Sequence, residues 1–374
     1  MNVAFVYDRV NKWGGAERVL LALHKIWPKA PLFTAVYDKK RAAWADVFLV
    51  HPSFLQRIPG ASLAHESLPG LTPMAFETFT FDEYDVVISV TSAEAKNIIT
   101  KPQTLHICYC LTPTRYLWSG FSQYLKQPGL GMLSWVAGWG LKTFAPMLRK
   151  WDIVAASRPD YFIAISERVK ERIKKYYGRD VIEVVYPPVD TNRFTSKGLS
   201  SVANADYFLT VSRLVSYKRL DIIIKAFNAL KLPLVIIGDG RQKQELRKMA
   251  GATIRFIDHH LTDSELVRYY EGCRAFVYAA DEDFGLAAAE AQAIGVPVIA
   301  YRQSGVAEVV SDRVSGVLFD QQTVESLQAA VREFLSLTFS KAACRAQVET
   351  MSEVHFRKRI SDIVRSLHQK NKHI

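Results

Sequence analysis

Short apolar runs of strand length recur along the chain, and the stretches between them repeat apolar positions at three- and four-residue spacing. Runs at 2–7, 32–37, 47–50, 85–90, 104–109, 161–165 and 181–186 read as strands, with mixed helical or irregular segments between them. One clear helix carries Val19, Leu20, Leu23, Ile26 and Trp27 on a single face. A second series follows at 207–212, 234–237, 254–257, 275–278 and 298–301, interleaved with helical patterns opening near 219, 264 and 286. Strands alternating with helical connections predict parallel, doubly wound α/β sheets. The tail from about 335 to 374 reads as helical, and residues 316–320 as a closing strand.

Between the two series Pro187 and Pro188 stiffen the chain and end a strand, and the polar tract 195–205 reads as a linker. A length of 374 residues also exceeds what one core organises. The expected domains are therefore 1–186, a hinge at 187–205, 206–345, and a tail at 346–374.

Composition adds class rather than fold. A hydrophobic share of 49% and a charged share of 23% belong to a folded protein, not a disordered one. A net charge of +11 implies an anionic partner, whether nucleic acid, anionic lipid or a phosphorylated substrate. The chain shows no recognisable nucleic-acid module. MNVAFVYD runs straight into a strand with no signal-peptide pattern, and the longest apolar run, 129–141, is too short and too glycine-rich to span a bilayer. A cytoplasmic protein is expected. Cys108, Cys110, Cys273 and Cys344 read as buried free thiols, and neither Cys nor His spacing implies a metal.

Candidate chemistry concentrates in 276–301. A strand leads into the acidic loop Asp281-Glu282-Asp283, then Phe284 and Gly285, and an alanine-rich helix opens at about Leu286. A strand, a loop and a helix opening on glycine present backbone N–H groups and a positive helix end to an anion. Glu282 and Glu290 stand eight residues apart, roughly 12 Å along a helix, further than the acid pair of a glycoside hydrolase requires. That separation suits one extended ligand held at both ends, such as a sugar nucleotide. The plainer alternative is two exposed glutamates on a crossover helix.

Two further loops carry the right groups. Arg213 and Lys218 lie five apart at a strand's carboxyl end, where arginine grips phosphate in a fork and lysine adds a point charge. As an isolated pair they would be surface cations. Gly14-Gly15 before the first helix permits close backbone approach, and Gly238-Asp239-Gly240 turns into another helix. Asp281-x-Asp283 matches a metal-binding DxD only by chance, because Glu282 is its middle residue. Over 121–151 the aromatics Phe121, Tyr124, Trp135, Trp139, Phe144 and Trp151 mix with Lys126, Lys142, Arg149 and Lys150. That is the composition of an element lying in a membrane interface, or of a core helix with one basic face.

Glu282-x7-Glu290 with Phe284-Gly285, the segment Gly14-Gly15-Ala16-Glu17, and Pro187-Pro188-Val189-Asp190 together resemble the retaining glycosyltransferases of family 4. The resemblance covers nearly the whole chain. It implies a GT-B fold: two Rossmann-like, doubly wound parallel-sheet domains facing across a cleft, with the tail packing back on the first. It also implies roles. Glu282, Arg213 and Lys218 would be catalytic; Gly14, Gly15, Gly238, Phe284, Gly285, Leu286 and Glu290 would bind the donor, with Glu282 on sugar hydroxyls and Glu290 on the ribose. No cofactor or metal is expected beyond the nucleotide-sugar donor, and the partner is a glycan or polyprenyl-linked acceptor at the inner face of the plasma membrane.

GGAE and TPTRYLW look most like bacterial mannosyltransferases that build O-antigen or capsule from GDP-mannose, with base choice resting on loops such as 255–260. One position departs from the family: where it carries a histidine that hydrogen-bonds the transferred sugar, this chain has Leu111. Either a substitution weakens turnover, or the donor sugar lacks a hydroxyl there, or another residue serves. A UDP, dTDP or 6-deoxy donor, and a nucleotide-sugar-binding protein without catalysis, stay open beside the main reading. A periplasmic-type sugar-binding protein is disfavoured.

Overall fold

The apolar runs become strands of two wholly parallel sheets in this computed structural model, which describes residues 1–60, 70–126, 134–191, 206–259 and 261–371. The expected linker over 195–205, the stretch 127–133, His260, and the side chains of Lys126 and Trp135 lie outside the described residues. The chain divides into two compact units, one made of 1–187 with 356–374 and the other of 188–355.

The first unit holds β1 (Val3–Tyr7), β2 (Leu32–Thr34), β3 (Val50–Pro52), β4 (Val86–Thr91), β5 (Leu105–Cys110), β6 (Tyr161–Ala164) and β7 (Val181–Val184). Their spatial order is β3-β2-β1-β4-β5-β6-β7, so the winding reverses between β1 and β4. Every residue of β1, β4 and β5 is buried, as strands covered on both faces require. The helix Glu353–Asn371 packs here through Phe356, Ile360, Ile363, Val364 and Leu367, a three- and four-residue stripe. Phe356 meets Tyr109 of β5 edge to face at 5.8 Å, and Arg359 grips Glu183 with a two-pronged fork.

Two local expectations shift. Residues 43–47 form a 3-10 turn that buries Ala45, and the third strand starts later, at Val50, on the sheet edge where Pro52 costs no ladder bond. The tail is not one helix. It breaks after the helix Val324–Ser336, where Phe339 folds back to stack on Phe334 at 4.9 Å, and resumes as Lys341–Ala346 and then Glu353–Asn371.

The second unit holds β8 (Tyr207–Val211), β9 (Leu234–Ile237), β10 (Ile254–Ile257), β11 (Cys273–Tyr278), β12 (Val298–Tyr301) and β13 (Gly316–Phe319), in the order β10-β9-β8-β11-β12-β13. Winding reverses between β8 and β11. Phe208, Phe227, Ile236, Val277 and Ile299 form its core. The helix Leu286–Ile294 is bounded by Gly285 at φ 99° and Gly295 at φ 94°, a left-handed conformation that residues with a Cβ rarely hold. Ala288, Ala289 and Ala291 are fully buried, so small side chains let this helix lie close on its neighbours.

Candidate functional site

In an open α/β sheet, ligands bind beyond the carboxyl ends of the strands where winding reverses. In the second unit that position belongs to the loops after β8 and β11, which carry Arg213, Lys218 and Glu282.

Leu214, fully buried, anchors the loop after β8. Its N–H donates to Asp239 O at 2.9 Å, and its carbonyl accepts from Gln242 N at 3.0 Å. Gly240 makes this contact possible, since a Cβ there would lie 2.4 Å from Leu214 O; at Gly238, φ 145°, a Cβ would lie 1.9 Å from Ser212 O. The structure thus gives Gly238 a packing reason of its own, one backbone laid against another. A 3-10 turn, Ser216–Lys218, then aims Lys218 at the end of β11. Its Nζ donates to Glu282 Oε1 at 2.6 Å and to Tyr278 Oη at 2.5 Å. The side chains of Lys218 and Glu282 are only 11% and 17% exposed. Burial pulls the Lys218 pKa down, but Tyr278 and Glu282 more than offset it, so the ammonium ionises above its usual range. Burial, then Glu282, pushes Tyr278 up. Lys218 is therefore a fixed cation at neutral pH. Arg213 on the same loop is exposed and donates to Tyr217 Oη at 2.5 Å.

Glu282 is held by its backbone as well. Its N–H donates to Ser304 Oγ at 3.0 Å, and its carbonyl accepts from Gly305 N at 2.8 Å. A Cβ at Gly305 would sit 2.3 Å from Asp283 O, and one at Gly285 2.4 Å from Val306 Cγ2. The acidic loop and the turn Ser304–Val306 therefore interlock without room for a side chain. Gly285, the residue that precedes the helix Leu286–Ile294, has no side chain with which to cap it. The Phe284 side chain is buried at 3% exposure, so that residue has only main chain to present, and Leu286 is half-buried.

Glu290 faces a different neighbour. It is buried and accepts from Tyr270 Oη at 3.4 Å, on the helix Asp263–Gly272. The structure brings Lys218 and Glu282 into direct contact and seats Glu290 against Tyr270. Tyr217, Tyr278, Ser304 and Gly305 were not singled out as site residues. Tyr217 and Tyr278 stand within five residues of one that was, whereas Ser304 and Gly305 are distant in sequence and reach the acidic loop only through the fold.

In the first unit Gly14 is extended at φ −175°, a conformation open to any residue, and Gly15 opens the first helix. Glu17 of the same segment is buried and accepts from Tyr7 Oη at 2.7 Å, which explains that glutamate locally. Leu111 is half-buried just past β5 and donates its N–H to Thr91 O at 2.8 Å. Three residues on, Thr114 enters a buried network that sequence reading missed. Asp152 accepts from Lys96 Nζ at 2.6 Å, Thr114 Oγ1 at 2.7 Å and Trp118 Nε1 at 2.6 Å.

Among the described residues no cluster of His, Cys, Asp or Glu has the makings of a metal site, and all four cysteines are free.

Comparison with known proteins agrees with this layout. Residues 192–350 match the family described as Glycosyl transferases group 1, and 121–193 match Glycosyltransferase Family 4. A D-inositol 3-phosphate glycosyltransferase of Xylanimonas cellulosilytica is 30% identical over 195 residues, 45% of this chain and 46% of the relative. Its counterpart in Nocardiopsis dassonvillei is 27% identical over 224 residues, 52% and 51% of the two chains. The chain thus spans about half the length of these curated relatives. Among solved structures, Anabaena Alr3699/HepE in complex with UDP-glucose superposes with a TM-score of 0.71 at 18% identity, covering 98% of this chain and 100% of that one. The lipopolysaccharide outer core galactosyltransferase WaaB, in its apo form, gives 0.68 at 17% identity, covering 98% and 99%. The chain has the GT-B fold of two Rossmann-like parallel-sheet domains and carries glycosyl transferases group 1 and glycosyltransferase family 4 segments.

Proposed function

We propose that this protein is a retaining glycosyltransferase that moves a sugar from a nucleoside diphosphate onto a glycan or polyprenyl-linked acceptor, at the cytoplasmic face of a membrane, in cell-surface polysaccharide synthesis. The observation that carries this reading is the Lys218–Tyr278–Glu282 cluster where winding reverses, with Arg213 on the same loop and the helix Leu286–Ile294 beginning four residues after Glu282. Loss of the nucleoside diphosphate puts negative charge on its β-phosphate. Arg213, Lys218 and the N–H groups after Gly285 would stabilise it without a metal, as preorganised donors do for a developing oxyanion. Glu282 would take the sugar hydroxyls and Glu290 the ribose. No side chain stands out as a covalent nucleophile, so attack on the same face through an oxocarbenium-like state completes a retaining route. Gly14, Gly15 and Leu111 enter through the family resemblance.

GDP-mannose is the donor proposed first, from the motif style. A second reading has its own support. The Leu111 side chain offers no hydrogen bond where the family places a histidine, and a solved structure of the same fold is in complex with UDP-glucose. A UDP, dTDP or 6-deoxy sugar, or binding without turnover, would follow from that. Calorimetry with GDP, UDP and dTDP, then turnover with GDP-mannose and UDP-glucose, decides between them. Tight GDP binding with mannose transfer supports the first reading; binding without transfer leaves a nucleotide-sugar binder; no binding of any nucleotide ends both.

A further inference from the structure

The helix Ser134–Ala155 seats one side on the first unit through Ala145, Leu148, Asp152 and Ala155, all at most 5% exposed and spaced three and four apart. An ordinary surface helix would be polar on its other side. Here Trp139 is 67% exposed, Phe144 54%, Met147 54%, Ile153 44% and Val154 56%. Trp139, Thr143, Met147, Lys150 and Val154 recur every three or four residues and so share the outward face, with Lys142 and Ile153 on one flank and Phe144 on the other. The only acid between 138 and 155 is Asp152, which points inward to Lys96 at 2.6 Å. Lys142 and Lys150 are exposed, so the outward side presents an apolar stripe, a tryptophan and cations, with no carboxylate. On the adjoining short helix Phe121–Lys126, Tyr124 adds a 40%-exposed aromatic, and Phe121 lies 4.4 Å below the Arg149 guanidinium.

We infer that this outer face lies in the headgroup region of an anionic bilayer. Aromatic rings of this kind settle at the boundary of acyl chains and headgroups, and lysines extend their charge to lipid phosphates. No described helix is long and apolar enough to cross a membrane, and Lys142, Arg149, Lys150 and Asp152 interrupt this one, so it lies on the bilayer and does not span it. A net charge of +11 favours an anionic surface. A second copy of this chain is a poorer occupant, because pairing the two helices would set Lys142 and Lys150 near their own like charges.

The test is flotation of the full chain with vesicles of phosphatidylcholine alone and of phosphatidylcholine mixed with phosphatidylglycerol. Binding should require the anionic lipid and weaken with salt. Lys142→Gln and Lys150→Gln should each reduce affinity about fivefold, the effect of one lysine at an anionic surface. Trp139→Ser/Met147→Ser/Val154→Ser should reduce it at least tenfold. These side chains are exposed, so circular dichroism and nucleotide binding should stay unchanged, and a failure here would leave the donor reading untouched. Wild-type protein that ignores anionic vesicles at low salt, or a triple variant that floats like wild type, overturns the inference. So does a wild-type dimer that the triple variant turns into a monomer.

Discussion

Replacing Lys218 with methionine keeps most of the unbranched side chain and removes the terminal ammonium with its charge. Two losses then follow, and they are separable. The first is stability. Glu282 keeps its carboxylate, 17% exposed, without the ammonium at 2.6 Å, and Tyr278 loses the same neighbour. Breaking a fully buried pair costs about 3–5 kcal/mol and a surface pair at most about 1, so this half-shielded pair should cost about 2 kcal/mol. The second loss is ligand binding. A charged hydrogen bond to phosphate contributes about 1.5–3 kcal/mol, so the Kd for the nucleoside diphosphate should rise about 10- to 150-fold. Turnover should fall about a hundred- to a thousandfold, as when one donor to a developing oxyanion is removed.

The double variant Lys218→Met/Glu282→Gln separates the two. Removing both charges should bring stability back to within about 1 kcal/mol of wild type, while binding and turnover stay low. Urea unfolding followed by a probe in the second unit, calorimetry with GDP and UDP, and single-turnover transfer measure the three quantities. Lys218 titrates above its ordinary value of 10.5, so its contribution is complete below that pH and is lost only as pH rises further. Single-variant affinities for both nucleotides within twofold of wild type would refute the assignment of Lys218 to phosphate.

Gly285→Ala combines a left-handed backbone with a Cβ 2.4 Å from Val306 Cγ2; strain and crowding should cost about 2–4 kcal/mol together. Adding Val306→Ala should recover only the crowding share, and unchanged urea midpoints in either variant would remove the argument. Leu111→His should raise transfer from a 6-hydroxylated donor such as GDP-mannose, and an unchanged rate would take Leu111 out of the site. Buried His106 has its pKa lowered to about 3 by burial, then by Arg158 and Arg179, and its Nε2 pairs with Ser89 Oγ at 2.8 Å. Since the unfolded chain takes up that proton first, stability should be full above pH 6.5 and fall towards pH 3, by up to about 1.4 kcal/mol per unit. His106→Gln should show a shallower fall in thermal midpoint over this window; parallel curves would exclude the histidine as its source.

Much of this was legible in the sequence because of what strand ends demand. Apolar runs with helical patterns between them identify parallel sheets, and Gly285 and Gly295 bracket a helix through their left-handed backbones. Arg213, Lys218 and Glu282 stood out through their place at carboxyl strand ends together with the family resemblance, since Arg213 and Lys218 as an isolated pair would read as surface cations. What stayed hidden is long-range pairing. Lys96 and Asp152, 56 residues apart in the chain, meet at 2.6 Å with 1% and 5% exposure. Glu17, in a segment the family resemblance made conspicuous, is a buried acceptor for Tyr7. The tail reads as helical in the sequence, but not the bend after Ser336, where Phe334 and Phe339 stack at 4.9 Å.

The site itself turns on one such hidden feature. Between β8 and β11, Cys273 pairs with Tyr207 but Phe276 pairs with Leu209, so β11 spends three residues where β8 spends two. An extra residue in one strand reverses which face the following side chains take. In regular register, the position opposite Leu209 would be Ala275, and the alternation of everything after it would be inverted relative to β8. Tyr278, two residues beyond Phe276, would then face away from the side on which Lys218 reaches its hydroxyl at 2.5 Å. Nothing in CRAFVY signals that shift: it contains no glycine or proline, and its apolar pattern fits either register. The residue types of the proposed phosphate site can be read from loops, but the contact that joins Lys218 to Tyr278 and Glu282 depends on one extra residue in the strand beneath them.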